Sequence, residues 1–292
     1  MASPYYINWG PPTPASYRVA PMDRYVVIGN PVSHSLSPEI HARFAAALGE
    51  RIEYGKLLVP AGEFAPHAQR FFDEGGHGAN VTLPFKVDAF GFAQSSSARA
   101  RAAGAANLLE RRGSGIHADN TDGAGLVADL TRNLCLELRG ARILVLGAGG
   151  AARGVIGPLL ALAPAAVEIA NRTAGKAVEL ALAFAPMGPV RALDWGALDR
   201  ASPALVINAT STSVRGEPLE IPANLLGPGV FAYDMAYGPA AGAFIERARA
   251  AGARASDGLG MLVEQAAESY FLWRGRRPQT QAVLAQLRQR LA

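Results

Sequence analysis

One stretch dictates more of the fold than any other: the apolar run Ile143-Leu144-Val145-Leu146, followed directly by Gly147-Ala148-Gly149-Gly150-Ala151-Ala152 and then by a helical pattern. A strand that feeds a glycine turn and a helix is the start of a βαβ unit, and the turn fits the G-x-G-x-x-G/A fingerprint of dinucleotide sites. The first glycine permits the tight turn, the second lets backbone approach a pyrophosphate, and the small residues after it let the helix pack closely on the sheet. A pyrophosphate would then face free N–H groups and the positive end of the helix dipole. Gly147, Ala148, Gly149, Gly150 and Ala151 are therefore candidate cofactor contacts. The competing reading is a glycine-rich turn that holds no ligand.

The next apolar run, residues 166–170, ends in Asn171-Arg172-Thr173, with Lys176 one helical turn further on. An NAD site carries Asp or Glu at this strand end to accept from the ribose 2′-hydroxyl, whereas a cation suits a 2′-phosphate. Glu168 lies inside the strand, too early for that role. Arg172 offers a planar fork and Lys176 a mobile point charge, each charge-assisted bond contributing about 1.5–3 kcal/mol. The pattern predicts NADP; two solvated surface cations are the alternative.

With 292 residues, half of them hydrophobic, the chain has room for two domains, since single cores stop growing at roughly 250–300 residues. From residue 25, strands alternate with helices: a strand over 25–28, a helix over 38–48, a strand over 52–59, a helix, then a strand near 79–82 ending in Leu83-Pro84. Pro84 fits a first helical position, where its missing N–H is harmless, and the helix runs through Phe90. A second series follows: strands over 143–146, 166–170, 204–208 and 230–234, and helices from Thr173, over 239–251, from about 259 to 273 and from 279 to the end. This is α/β logic with mainly parallel sheets. Residues 1–23 carry five prolines and no apolar signal core, and read as a disordered tail, with a start at Met22 conceivable.

Composition removes several functions. The net charge of +4 is modest, and only Arg274, Arg276 and Arg277 cluster, so no basic stripe for nucleic acid is present. A slightly positive surface would help to steer an anionic ligand. A single cysteine, Cys135, excludes an intrachain disulfide and a thiolate metal cluster, and fits a reducing, cytoplasmic setting. Its spacing from Leu130, Leu134 and Leu138 reads as a small buried hydrophobe. The apolar stretch 158–167 is broken by Pro158 and Pro164 and falls short of the roughly 20 residues that span a bilayer.

Four polar clusters have no evident folding purpose: His34-Ser35-Leu36-Ser37, Asn80-Val81-Thr82 with Lys86, Asn107, and Asn120-Thr121-Asp122. They fall at strand ends or loops. Together they supply hydroxyls, amides, an ammonium and a carboxylate, a chemistry suited to a small ligand bearing several hydroxyls and an acid group. His34 and His41 have no nucleophile to pair with and read as structural.

These clusters, in this order, resemble the shikimate dehydrogenase family over nearly the whole chain after the tail. Gly29-Asn30-Pro31-Val32-Ser33-His34-Ser35-Leu36-Ser37-Pro38 looks like the family's opening motif, which implies that Ser35 and Ser37 bind the substrate carboxylate. Asn80-Val81-Thr82-Leu83-Pro84-Phe85-Lys86 is similar to the second, making Lys86 catalytic and Asn80 and Thr82 substrate contacts. Asn120-Thr121-Asp122-Gly123 matches the third and assigns Asp122 as partner of that lysine. The resemblance extends to Gly147 through Gly154 and Asn171-Arg172-Thr173 for NADP, and to Asn208-Ala209-Thr210-Ser211, with Thr210 and Ser211 beside the cofactor. Tyr233-Asp234-Met235-Ala236-Tyr237 implies Tyr237 near substrate, with a packing aromatic as the alternative. The motif from Asp257 to Gln265 implies Gly258 and Met261 at the cofactor and Gln265 at the substrate. One departure stands out: the family's Gly-Ala-Val-Asn-Thr is here Gly104-Ala105-Ala106-Asn107-Leu108, which keeps Asn107 as a substrate ligand and removes a hydroxyl.

The resemblance implies two α/β domains around a cleft: residues 24–121 with 259–292 for the substrate, and a Rossmann-type domain, 122–258, with a parallel sheet for NADP. It implies reduction of 3-dehydroshikimate to shikimate by NADPH in aromatic amino acid biosynthesis, with no metal, in a monomer or homodimer. Lys86 would donate the proton to the developing alkoxide, with Asp122 orienting it. The rivals are a quinate/shikimate dehydrogenase with broader substrate and NAD use, a catalytically idle protein that binds NADP or shikimate, and a folate-type dehydrogenase, which would explain the glycine turn but not the serine pair.

Overall fold

The computed structural model describes residues 22–291; the segment 1–21, expected to be a disordered tail, lies outside them. The described chain divides into two units. One holds the residues up to Thr121 with Ala266–Val283, the other Asp122–Gln265 with the residues from Leu284 onward.

The first unit contains β1 (Asp23–Gly29), α1 (Ser37–Leu48), β2 (Ile52–Leu58), α2 (Phe64–Asp73), β3 (Gly76–Val81), α3 (Lys86–Phe92), the short β4 (Ser95–Ser96), α4 (Ala98–Ala103), β5 (Leu108–Arg112) and β6 (Gly115–Asp119). Its sheet runs β2-β1-β3-β5-β6-β4. Only β5 is antiparallel to its neighbours. The C-terminal ends of β1, β3 and β6 and the N-terminal end of β5 therefore share one edge. Residues 25–29 of β1 are all buried, as a central parallel strand covered on both faces requires. Phe64, Ala68, Phe71 and Phe72 of α2 supply one cover; on α1, Ile40, His41 and Phe44 are buried, His41 and Phe44 against Tyr270.

The second unit contains α5 (Asp122–Ala128), β7 (Arg142–Leu146), α6 (Gly150–Leu160), β8 (Ala166–Ala170), α7 (Ala174–Phe184), β9 (Val190–Leu193), β10 (Leu205–Asn208), α8 (Thr212–Arg215), β11 (Phe231–Asp234), α9 (Gly242–Ala250) and β12 (Arg254–Ser256). Two more helices complete the chain, α10 (Leu259–Arg274) and α11 (Gln281–Leu291). The sheet is wholly parallel, in the order β12-β11-β10-β7-β8-β9. Strand order reverses at β7, the switch point of a doubly wound fold, where ligands bind beyond the C-terminal strand ends. Ile143 and Val145 enter one core and Leu144 and Leu146 the other, because side chains alternate across a sheet covered on both sides.

Four expectations change. Asp23, assigned to the tail, opens β1, where Arg274 ion-pairs with it and with Glu50 at 3.0 Å. Pro84 precedes the helix: Phe85 N donates to the Thr82 carbonyl at 3.0 Å in a turn, and α3 begins at Lys86. Cys135 is exposed, not buried. After α5 the chain widens into a π-helical turn, Asp129–Asn133, in which Leu134 N reaches the Asp129 carbonyl, and the changed pitch ends with Cys135 at φ 52° and turned outward. The return of the chain to the first unit begins at Ala266, not at Leu259, and ends at Val283. Met261 sits in the core of the second unit, and a Cβ on Gly125 of α5 would lie 2.6 Å from Gln265 Cβ, so the first turns of α10 pack there. Among the described residues no helix is long and apolar enough to cross a membrane.

Candidate active site

The sheet topology of the first unit gathers the separate polar clusters. Ser35 and Ser37 follow β1, Asn80 is the penultimate residue of β3, Asn107 precedes β5, and Asn120 and Thr121 follow β6. All lie at the same edge. The Ser35 hydroxyl donates to Ser37 Oγ at 3.2 Å. Asn80 Nδ2 donates to the Asn107 carbonyl at 3.2 Å and to Ser269 Oγ at 3.0 Å, while its Oδ1 accepts from the Tyr54 hydroxyl at 2.7 Å. Asn107 Nδ2 reaches Thr121 Oγ1 at 2.9 Å and its Oδ1 accepts from Thr121 N at 2.7 Å. Buried amides this fully bonded hold one orientation, since each lost partner would leave a costly unsatisfied group. Leu108, where the family pattern has threonine, is fully buried and paired in register with Asp119 and Asn80.

Lys86 opens α3, and its carbonyl accepts from Ala106 N at 2.7 Å, which ties it to the segment that carries Asn107. The Thr82 methyl closes over Gly29: a Cβ there would stand 2.4 Å from it. Beneath the loop Asn120-Thr121, Asp119 accepts from Arg99 Nε at 2.6 Å and Nη2 at 3.1 Å. Burial alone would raise the Asp119 pKa, but the bonds from Arg99 and Ser97 outweigh it and hold the carboxyl below its usual range. His41 is fully buried and neither ring nitrogen has a hydrogen-bond partner among the described residues; desolvation pushes its pKa down to about 3. Lys56 donates to the Ser33 carbonyl in the serine loop.

In the second unit, Asp122 starts α5 and is buried. Gln265 is buried too, and its Nε2 donates to the Leu262 carbonyl at 2.9 Å. The glycine turn lies at the switch point. Gly147 has φ 112°, and a Cβ on it would lie 3.0 Å from the Ala209 carbonyl oxygen and 3.2 Å from Thr210 N, so both conformation and space demand glycine. Gly149 caps α6 without any side-chain hydrogen bond, which leaves the first-turn N–H groups, those of Gly150 and Ala151 included, for an anion. Arg172, Thr173 and Lys176 are exposed beyond the end of β8, and Asn171 Nδ2 donates to the Thr173 carbonyl at 3.0 Å. Glu168 is buried and paired with Arg142 at 3.1 Å and Arg191 at 2.5 Å. Among the described residues no carboxylate pairs with the cations at the strand end, so the residues present fit a dinucleotide with a 2′-phosphate.

Thr210 is held in place by Asn208, whose Oδ1 accepts from Thr210 Oγ1 at 2.7 Å and N at 3.1 Å. Asn208 Nδ2 in turn donates to Asp234 at 2.9 Å. Ser211 follows in the same loop as the N-cap of α8. Tyr237 precedes a short turn anchored by Gly238 N to Asp257 at 2.9 Å. Gly258 lies against backbone: a Cβ would meet the Met235 carbonyl oxygen at 2.5 Å. Arg172 and Lys176 at β8 and Tyr237 beyond β11 stand on strands separated by β7 and β10. A cavity of about 280 Å³, lined by Leu205, Phe231 and Arg254 among others, lies at the opposite strand ends, away from these groups. Tyr54 and Ser269 stand in none of the sequence motifs, whereas Asn208 belongs to the motif expected beside the cofactor and Asp234 to that of Tyr237, neither with a role of its own. Ser269 had one signal, its position one helical turn after Gln265.

Residues 27–109 match the shikimate dehydrogenase substrate-binding domain, 129–214 the shikimate/quinate 5-dehydrogenase domain, and 258–288 the shikimate 5′-dehydrogenase C-terminal domain. A shikimate dehydrogenase (NADP(+)) of Acidovorax sp. (strain JS42) is 49% identical over 277 residues, 94% of this chain and 98% of that protein. The crystal structure of an Ael1 enzyme from Pseudomonas putida superposes with TM-score 0.83 at 44% identity, covering 91% of this chain and 98% of the other. A shikimate 5-dehydrogenase from Thermus thermophilus in complex with NADP(H) and shikimate gives TM-score 0.81 at 30% identity, covering 92% and 99%. With relatives so similar over nearly its full length, the chain belongs to the shikimate dehydrogenase family.

Proposed function

We propose that this chain reversibly reduces 3-dehydroshikimate to shikimate, with NADP as cofactor, Lys86 as proton donor and acceptor, and Asp122 as the partner that orients it. The strongest support is the gathering of Ser35, Ser37, Asn80 and Asn107 at the sheet edge where α3 presents Lys86. The serine hydroxyls suit a carboxylate and the amides suit ring hydroxyls. NADP, when bound, supplies or takes up the hydride. As an ammonium, Lys86 gives its proton to the oxygen on which negative charge develops; in the oxidative direction a neutral Lys86 removes it. Thr82, Tyr237 and Gln265 are assigned to the substrate. Gly147 to Ala151, Asn171 to Thr173, Lys176, Thr210, Ser211, Gly258 and Met261 are assigned to the cofactor. The buried position of Met261 makes backbone its available contact.

The test is initial rates of purified protein with shikimate or quinate, each against NADP⁺ and NAD⁺. Turnover of shikimate with NADP⁺ in strong preference to the other three pairs is expected; preference for quinate or NAD⁺ would overturn the assignment. The reading carries a cytoplasmic location, for which the lone cysteine is the support, and a monomer or homodimer, to be resolved by sedimentation.

A further inference from the structure

Serines and amides meet at one residue that no sequence motif includes. Tyr54, on β2, donates its hydroxyl proton to Asn80 Oδ1 at 2.7 Å. The Ser37 hydroxyl approaches the same phenol oxygen as a donor, and burial keeps that phenol protonated by raising its pKa well above the usual value. The ring is fixed by stacking on His41, 4.4 Å away and 12° from parallel.

We propose that Tyr54 is a positioning residue that sets the polarity of the substrate site, an inference that rests on the function proposed above. Both Nδ2 hydrogens of Asn80 are spent on the Asn107 carbonyl and Ser269. The Asn107 carbonyl can only accept and so keeps Nδ2 on its side, Tyr54 holds Oδ1 on the other, and toward a ligand the amide is an acceptor. It therefore takes a ring O–H and repels a carboxylate, while on the other side of the phenol the Ser35 and Ser37 hydroxyls, whose protons point to Ser37 and Tyr54 in the free site, can rotate to give them to a carboxylate. Tyr54 divides the site into a hydroxyl end and an acid end, and so selects one way round for the substrate.

Tyr54→Phe keeps the ring and its stack on His41 and removes only the bridging hydroxyl. The expected result is a five- to twentyfold rise in KM for shikimate, roughly the worth of one or two neutral hydrogen bonds, with kcat within about twofold and NADP⁺ affinity unchanged. Tyr54→Phe combined with Asn80→Ala should raise KM little beyond Asn80→Ala alone, because both act through one amide. An unchanged KM, an equal loss of NADP⁺ affinity, or additive losses would overturn the proposal. Wild-type turnover decides the substrate separately. Should the wild type not turn over shikimate, the Asn80 side-chain amide signal in the NMR spectrum still decides on Tyr54: a shifted signal with faster proton exchange in Tyr54→Phe is expected, and an unmoved signal counts against it.

Discussion

Arg172→Ala should weaken NADP⁺ binding while sparing NAD⁺, and the structure sets the size of the loss. Arg172 is exposed just past the end of β8. The only carboxylate of that strand, on Glu168, is buried and engaged by Arg142 and Arg191. Among the described residues the guanidinium has no ion pair to break on meeting a 2′-phosphate, and its whole charge-assisted bond counts toward binding. Such a bond is worth about 1.5–3 kcal/mol. Exposure places this one in the lower half of the range, because water and salt screen it. About 1.5–2 kcal/mol corresponds to a Kd for NADP⁺ raised roughly ten- to thirtyfold. NAD⁺ lacks the phosphate, so its Kd should move less than twofold. Calorimetric titration of each cofactor into wild type and variant, at two ionic strengths, reads both numbers, and raised salt should narrow the wild-type preference for NADP⁺. Equal losses for the two cofactors would make Arg172 a structural residue and remove the physical basis of the NADP assignment.

Lys86→Ala should lower kcat by about 10² to 10⁴, the usual worth of a placed acid or base; a near-normal kcat with raised KM in steady-state kinetics would show that Lys86 only holds substrate. Gly258→Ala should cost about 1–3 kcal/mol of stability, as overpacking does, because its Cβ would stand 2.5 Å from the Met235 carbonyl oxygen and 3.1 Å from that of Asp234, backbone atoms that cannot swing aside; an unchanged Tm would contradict this packing. Asp119→Asn should cost about 1–3 kcal/mol near neutral pH. Because the folded pKa of Asp119 is depressed, its contribution is present above the unfolded value of about 3.9 and fades as pH falls through the lower folded value. The gap in Tm between wild type and variant should therefore close below about pH 4, and a gap as wide at pH 3 as at pH 7 would refute the ion-pair account.

Legibility in the sequence follows the range of the interactions involved. The doubly wound sheet of the second unit is readable because its strands are buried on both faces and appear as unbroken apolar runs such as Ile143-Leu144-Val145-Leu146. The hairpin of β5 and β6 is not, although Gly113-Ser114 links its strands and Gly113 has φ 60°. Leu108-Leu109-Glu110-Arg111-Arg112 lacks the alternation that marks a half-buried strand. Cys135 misleads for a related reason: a 3.6-residue period predicts an inward position only while the helix keeps its pitch, and the π-helical turn at Asp129–Asn133 changes it.

The glycine turn at Gly147 is legible because its chemistry is carried by consecutive residues, each with its own conformational reason. The polar edge of the first unit is different in kind. Asn80 touches Tyr54, 26 residues away, and Ser269, 189 residues away, and no local pattern marks a tyrosine on a strand or a serine in a helix as members of one network. What the sequence offers there is the residue type at each strand end. What makes those ends a site is the strand order, since the reversal of β5 brings the start of that strand, and Asn107 with it, to the edge where β3 and β6 finish. Were β5 parallel to β3, Asn107 would stand at the opposite edge, and the same residues would hold four unrelated polar loops. The antiparallel strand is thus the topological step on which the proposed substrate site depends, and it is the step that the periodicity of the sequence conceals.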